Sequence, residues 1–265
     1  MSGLEEFSPK GMLHEGWSSQ VDDYAIVCGW ALQGKTFLAG DVAGGLYSFE
    51  GKSGKLIWQT REIHKGGLLA MSIHPEGNTF ATAGQDGRVL IWESKEGKST
   101  NTLELGKGWV EHIKWSPDGK FLAVVFTKYV YVFNEKGQEH WRSEEHPSTV
   151  SAIAWSNSNE LATACYGQVT FFDVVNNKTN QKLEWRGSLV SMVLSPDGDI
   201  VACGSQDNSV HFWRRSTDQD SEMTGYPGKP SHLAFDPTGT VLATGGSDRV
   251  TVWSFQGDGP EGTVP

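Results

Sequence analysis

One pattern runs through this chain again and again. Ala81 to Glu93 reads ATAGQDGRVLIWE, and it is echoed by ACGSQDNSVHFWR from Ala202 and ATGGSDRVTVWS from Ala243, with looser copies at LAGDVAGGLYSFE from Leu38 and ATACYGQVTFFDV from Ala162. Six turns punctuate the sequence in step with it: ALQG ending at Gly34, HPEG at Gly77, SPDG at Gly119, SNSN at Asn159, SPDG at Gly198 and DPTG at Gly239. Their ends lie 43, 42, 40, 39 and 41 residues apart. Self-similarity at a fixed period of this length marks a repeat architecture, and it constrains the fold more than any single motif does.

The second unit shows what each repeat builds. LLAMSIH alternates into a strand, PEGN is a Pro-led turn, TFATAG a second strand, QDGR a tight turn, VLIWE a third strand and STNTLEL a fourth. Four short antiparallel strands cannot bury both faces of their own sheet. Each sheet must therefore stack on its neighbours, and a radial array achieves this while protecting most edges. The expectation is an all-β propeller. The 32 glycines and 11 tryptophans among 265 residues suit many tight turns and short, well-packed strands.

The unit resembles the WD40 repeat, which has a His before the first strand, a Ser or Thr in the second, an Asp in the following turn and a Trp in the third. Unit two carries all four as His64, Thr82, Asp86 and Trp92. The resemblance implies a buried hydrogen-bond chain from Trp through the hydroxyl and His to Asp, which answers the need of a buried indole N–H and imidazole for partners. Unit five keeps Asp207 and Trp213 but has Cys203 at the hydroxyl position and no His; unit six has Thr244, Asp248 and Trp253 without the His. Unit four has His146 and Thr163, and no Asp in its turn.

The resemblance runs over about residues 20 to 255, so residues 20–265 are expected to form one WD40-type β-propeller of six visible four-stranded repeats. Residues 1–19 are expected to supply a closing strand: Lys10 to Trp17 ends 43 residues before the end of Lys55 to Thr60, at the place of a fourth strand without a blade of its own. After Phe255, a fourth strand for unit six is due near Thr263. Two closures fit this count. Either the N-terminal strand completes a sixth blade in a closed ring, or the chain is a seven-bladed propeller cut at its C-terminus, and the start of a due strand at Thr263 favours the second.

Composition narrows the function. A net charge of -10, from 22 basic and 32 acidic residues, works against nucleic-acid and anionic-membrane partners. The first seventeen residues lack a basic region followed by an apolar core, and no apolar run approaches a membrane span, so a soluble cytoplasmic protein is expected. Cys28, Cys165 and Cys203 lie far apart in apolar strand-like runs and read as buried thiols rather than metal or redox groups. No phosphate-cradling, zinc or nucleophile-elbow motif occurs, so neither cofactor nor metal nor catalytic residue is expected.

Two classes of function remain. One is a non-catalytic scaffold presenting loops to protein partners, as the resemblance implies. The other is a propeller enzyme or small-ligand protein with a site in the central channel. First-strand segments such as AIVCGW, LLAMSIH, VSAIAW and LVSMVL are apolar and small, with Glu111 and scattered histidines the exceptions, which favours the scaffold. The family's upper face lies at the start of each first strand and just before the turn Asp. Counting those offsets selects Tyr24, Trp109, Glu111, Phe126, Tyr166 and Lys229 as candidate partner contacts, with Thr149, Ser151, Ser188 and Val190 among the lesser positions. Buried aromatic anchors dominate interface energetics, which singles out Trp109, Tyr166, Tyr24 and Phe126.

Overall fold

Each repeat folds into an antiparallel meander of strands joined by tight turns, and a computed structural model describes residues 16–246 and 248–256. Sheet 1 holds β1 (Ala25–Ala31), β2 (Thr36–Asp41), β3 (Leu46–Glu50) and β4 (Leu56–Thr60). Sheet 2 holds β5 (Leu68–Ile73), β6 (Thr79–Gly84), β7 (Arg88–Glu93) and β8 (Lys98–Glu104). Sheet 3 holds β9 (His112–Trp115), β10 (Phe121–Phe126), β11 (Tyr129–Asn134) and β12 (Glu139–Arg142). Sheet 4 holds β13 (Ala152–Trp155), β14 (Glu160–Cys165), β15 (Gln168–Asp173) and β16 (Lys178–Glu184). Sheet 5 holds β17 (Leu189–Leu194), β18 (Ile200–Ser205), β19 (Val210–Arg214) and β20 (Gln219–Met223). Sheet 6 has β21 (His232–Phe235), β22 (Val241–Gly245) and β23 (Val250–Ser254). The one helical feature among the described residues is a single 3-10 turn at Leu32–Gly34.

The molecule is thus an all-β propeller of blade-like sheets. Its core is a series of interfaces between consecutive sheets. Leu38 and Leu46 of sheet 1 meet Phe80 and Trp92 of sheet 2; Ala81 and Ala83 of sheet 2 meet Ile113 and Val124 of sheet 3. The same pattern continues through sheets 3 and 4, 4 and 5, and 5 and 6. The first strands touch in sequence, β1 to β5 to β9 to β13 to β17 to β21, and among the described residues no comparable contact joins β21 back to β1.

Both ends of this series expose apolar surface. On the second strand of an inner sheet, small residues let the next sheet approach: a methyl group on Gly204 would lie 1.8 Å from the Pro230 carbonyl of the following repeat. Among the described residues, the matching Gly245 has no atom within 4 Å of that point, and Val250 and Val252 beside it are 71% and 54% exposed. A hollow of about 210 Å³ there is lined by Ala234, Ala243, Gly245 and Val250. At the other end, the face of sheet 1 turned away from sheet 2 exposes Ile26, Trp30 and Cys28. Cys28 therefore departs from the buried thiol expected, because among the described residues no sheet is packed over its side of β1; Cys165 and Cys203 are buried.

The outer part of that same face is covered by Trp17. Its ring packs on Phe37 and Phe49, and its indole N–H donates to the Gly51 carbonyl at 2.9 Å. Trp58 of β4 does the equivalent on sheet 2, stacking on Phe80 and donating to the Ser94 carbonyl at 3.2 Å. Trp17 thus sits on sheet 1 as a fourth-strand residue of a preceding blade would. The rest of the proposed closing strand, apart from Gly16, and the strand due near Thr263 lie outside the described residues.

Candidate functional site

Beneath the upper face, the end at which the first strands begin, each repeat must satisfy the polar groups that its turns bury. In sheet 2 the Trp92 indole donates to Thr82 Oγ1 at 2.9 Å, Thr82 Oγ1 lies 3.0 Å from His64 Nε2, and His64 Nδ1 lies 2.9 Å from Asp86 Oδ1. Only one proton arrangement fits: Thr82 donates to Nε2, and Nδ1–H donates to the carboxylate. Burial pushes the His64 pKa down despite Asp86 beside it, so the ring is neutral. Burial alone would raise the Asp86 pKa, but hydrogen bonds from His64, Arg88 and the Lys65 backbone hold it below the usual carboxylate range. Gly87 closes this turn at φ 73°, where a methyl group would lie 1.9 Å from the Gly106 carbonyl.

The other sheets solve the same problem with different atoms. In sheet 4, His146 Nε2 meets Thr163 Oγ1 at 2.9 Å, and its Nδ1–H donates to the Lys128 carbonyl of the preceding repeat, which replaces the missing Asp. In sheet 6, Trp253 donates to the Tyr226 hydroxyl at 2.7 Å, and that hydroxyl lies 2.8 Å from Thr244 Oγ1. Tyr226 stands thirteen residues before Gly239, as His64 does before Gly77, so counting that offset would have found it. Asp248 is not joined to Thr244 or Trp253 among the described residues. Asp207 accepts from Ser209 N and Oγ and caps its own turn, while Trp213 packs against Cys203 and His211 without a hydrogen bond to either.

Above these networks a pocket of about 480 Å³ opens where the lead-ins to β9, β13 and β17 converge. Glu111, Thr149, Ser151, Tyr166, Ser188 and Val190 line it, together with His112, Ser148, Val150 and Leu189. Tyr166, on the turn between β14 and β15, is 58% exposed, and its backbone N–H is held by Ser148 Oγ at 2.8 Å. Ser151 Oγ donates to the Leu189 carbonyl at 2.6 Å, tying sheet 4 to sheet 5. Burial pushes the His112 pKa down, so this wall of the pocket carries a neutral imidazole.

Of the six candidate contacts, the pocket brings together Glu111 and Tyr166. Trp109 is 53% exposed on the Gly-flanked lead-in to β9, outside the pocket lining. Phe126 is half-buried under that lead-in, with its ring 3.0 Å from where a methyl group on Gly108 would stand, so it supports the loop. Tyr24 is exposed ahead of β1 and Lys229 ahead of β21, and neither lines the pocket. Among the described residues, no three His, Cys, Asp or Glu side chains come together as a metal-binding group, and no helix is long and apolar enough to cross a membrane.

Residues 56–93, 179–214 and 220–254 match the family model described as WD domain, G-beta repeat. Three stretches of the chain are thus WD40 repeats. Each matched WD40 stretch runs from the fourth strand of one sheet to the third strand of the next, so the sequence repeat is offset from the sheet.

Similar proteins include Protein hir1 of Schizosaccharomyces pombe, 25% identical over 58% of this chain and 20% of its own length. Pre-mRNA-processing factor 19 of Oryza sativa is 24% identical over 74% of this chain and 39% of its own length. Cell division cycle 20.1, cofactor of APC complex, of Arabidopsis thaliana is 27% identical over 61% of this chain and 38% of its own length. The chain spans between 19% and 39% of the length of eight curated relatives that it matches. A chain in the crystal structure of a mitotic checkpoint complex shares the fold, with a TM-score of 0.77 at 18% identity over 89% of this chain and 76% of that one.

Proposed function

We propose that this protein is a non-catalytic, cytoplasmic interaction scaffold whose upper face receives a protein partner. The observation that carries the reading is the pocket between β9, β13 and β17, with Tyr166 at its rim. An exposed aromatic on a turn and a second, Trp109, on a Gly-flanked lead-in offer apolar area that neither residue uses in its own fold. Such residues are the usual anchors of an interface, and the hydroxyls around them suit its polar rim. The similar proteins lend support: one is named as a cofactor of a complex, and the structural neighbour was solved within one.

The test is affinity purification with the intact chain beside a Trp109→Ala, Tyr166→Ala version. Loss of the recovered proteins in the double variant is the expected result. Recovery of the same proteins at the same yield would move the partner surface to the blade rims or the lower face.

A further inference from the structure

We infer that the pocket between the lead-ins to β9, β13 and β17 takes a basic side chain, Arg or Lys, from an extended segment of the partner. The inference rests on the scaffold reading above and names what the site recognises. Its starting point is the set of polar groups that the fold leaves uncommitted. Glu111 lines the pocket half-buried, with neither an ion pair nor a hydrogen bond to another described residue. The hydroxyls of Thr149 and Ser188 line it with no partner either, whereas Ser148 and Ser151 are engaged with the backbone around them. Besides the His112 ring and the Tyr166 hydroxyl, which likewise have no side-chain hydrogen bond to another described residue, the free groups are a carboxylate and two hydroxyls, which are acceptors for an ammonium or guanidinium.

The rest of the lining agrees in sign. His112 is neutral, and no Lys or Arg lines the pocket; Arg186, two residues ahead of Ser188, is exposed and outside it. Tyr166 lines the pocket with an aromatic ring, a group that attracts cations to its face, and half-buried Val190 adds apolar surface for the alkyl stem of such a residue. An anionic ligand would meet Glu111 without a countercharge, and an apolar one would strip water from the carboxylate with nothing in exchange. The chain's net charge of -10 draws basic segments toward it, but only the pocket gives that attraction a place.

The test selects a phage-displayed random heptapeptide library against the full chain and against Glu111→Gln, Glu76→Gln and Tyr166→Ala variants. Glu76 is exposed on the turn between β5 and β6, at the opposite end of the strands, and its loss alters net charge by the same amount. Unchanged thermal melting establishes that each variant is folded.

Enrichment of Arg or Lys at one peptide position is expected on the wild type and on Glu76→Gln. The same peptides should bind Glu111→Gln about tenfold or more weakly. Enriched peptides without a basic residue would overturn the inference, as would basic enrichment undiminished on Glu111→Gln or the absence of any enriched peptide. If non-basic peptides are selected and Tyr166→Ala abolishes their binding, the upper-face scaffold survives while the basic-side-chain inference falls. Failure of the scaffold reading itself shows separately, as undiminished recovery by the Trp109→Ala, Tyr166→Ala version.

Discussion

The Tyr226 hydroxyl accepts the indole N–H of Trp253 at 2.7 Å, from a position where other repeats hold a histidine. The ring differs but the task is the same: a buried indole donor must meet an acceptor that is itself satisfied. Tyr226→Phe removes that acceptor and should cost about 1–3 kcal/mol of stability. Urea unfolding measures it, and a midpoint equal to wild type would show that Trp253 has found another partner.

Trp92→Phe or His64→Ala should each cost about 1–3 kcal/mol, because either leaves a member of the Trp92–Thr82–His64–Asp86 chain unpaired. Thermal denaturation checks it. Two unchanged melting temperatures would mean that the chain contributes nothing to stability.

Stability should also fall in mild acid. Burial lowers the pKa of His64, His112, His146 and His211 in the fold. The unfolded chain then binds more protons between those depressed values and about 6.5, so this contribution is complete above that pH and is lost as pH falls below it. His211 gives the cleanest handle: it stacks on Trp185, and Asp220 approaches its Nε2 to 3.4 Å without hydrogen-bond alignment, leaving both ring nitrogens unpartnered. His211→Phe should show a smaller drop in melting temperature between pH 7.5 and 5.5 than wild type. An equal drop would assign the acid sensitivity to the other histidines.

Arg215 fastens sheet 5 to sheet 4. It forks onto Glu160 at 3.1 and 3.2 Å, donates to Gln181 Oε1 at 2.8 Å and lies 3.7 Å over the Phe171 ring. Both members of the pair are mostly shielded, so Arg215→Ala should destabilise by about 2–4 kcal/mol. Arg215→Lys should recover only a part, since a single ammonium cannot match the fork and the stacking together. Full recovery by Lys in denaturant unfolding would reduce the interaction to simple charge.

In the folded chain one thiol of three should react readily with an aromatic disulfide reagent. Cys28 is exposed on β1, whereas Cys165 and Cys203 are buried and burial raises both of their pKa values. Counting the thiols released before and after denaturation tests this. Protection of all three would mean that the open face of sheet 1 is covered in solution.

The repeat in the sequence determined the sheets, because what makes a meander is local. The turns ending at Gly77, Gly119 and Gly239 and the alternation between them act over a few residues, so strand order and pairing were legible without coordinates. Tertiary structure alone decided what met across sheets. The Lys128 carbonyl that replaces an Asp in the fourth repeat leaves no trace in sequence, since every residue carries a carbonyl. The exposure of Cys28 depends on whether a neighbouring sheet covers β1, and its own apolar segment cannot report that. Glu111, Thr149, Ser188 and Tyr166 belong to three different repeats. They form one pocket only because the stacking of consecutive sheets brings the starts of β9, β13 and β17 side by side.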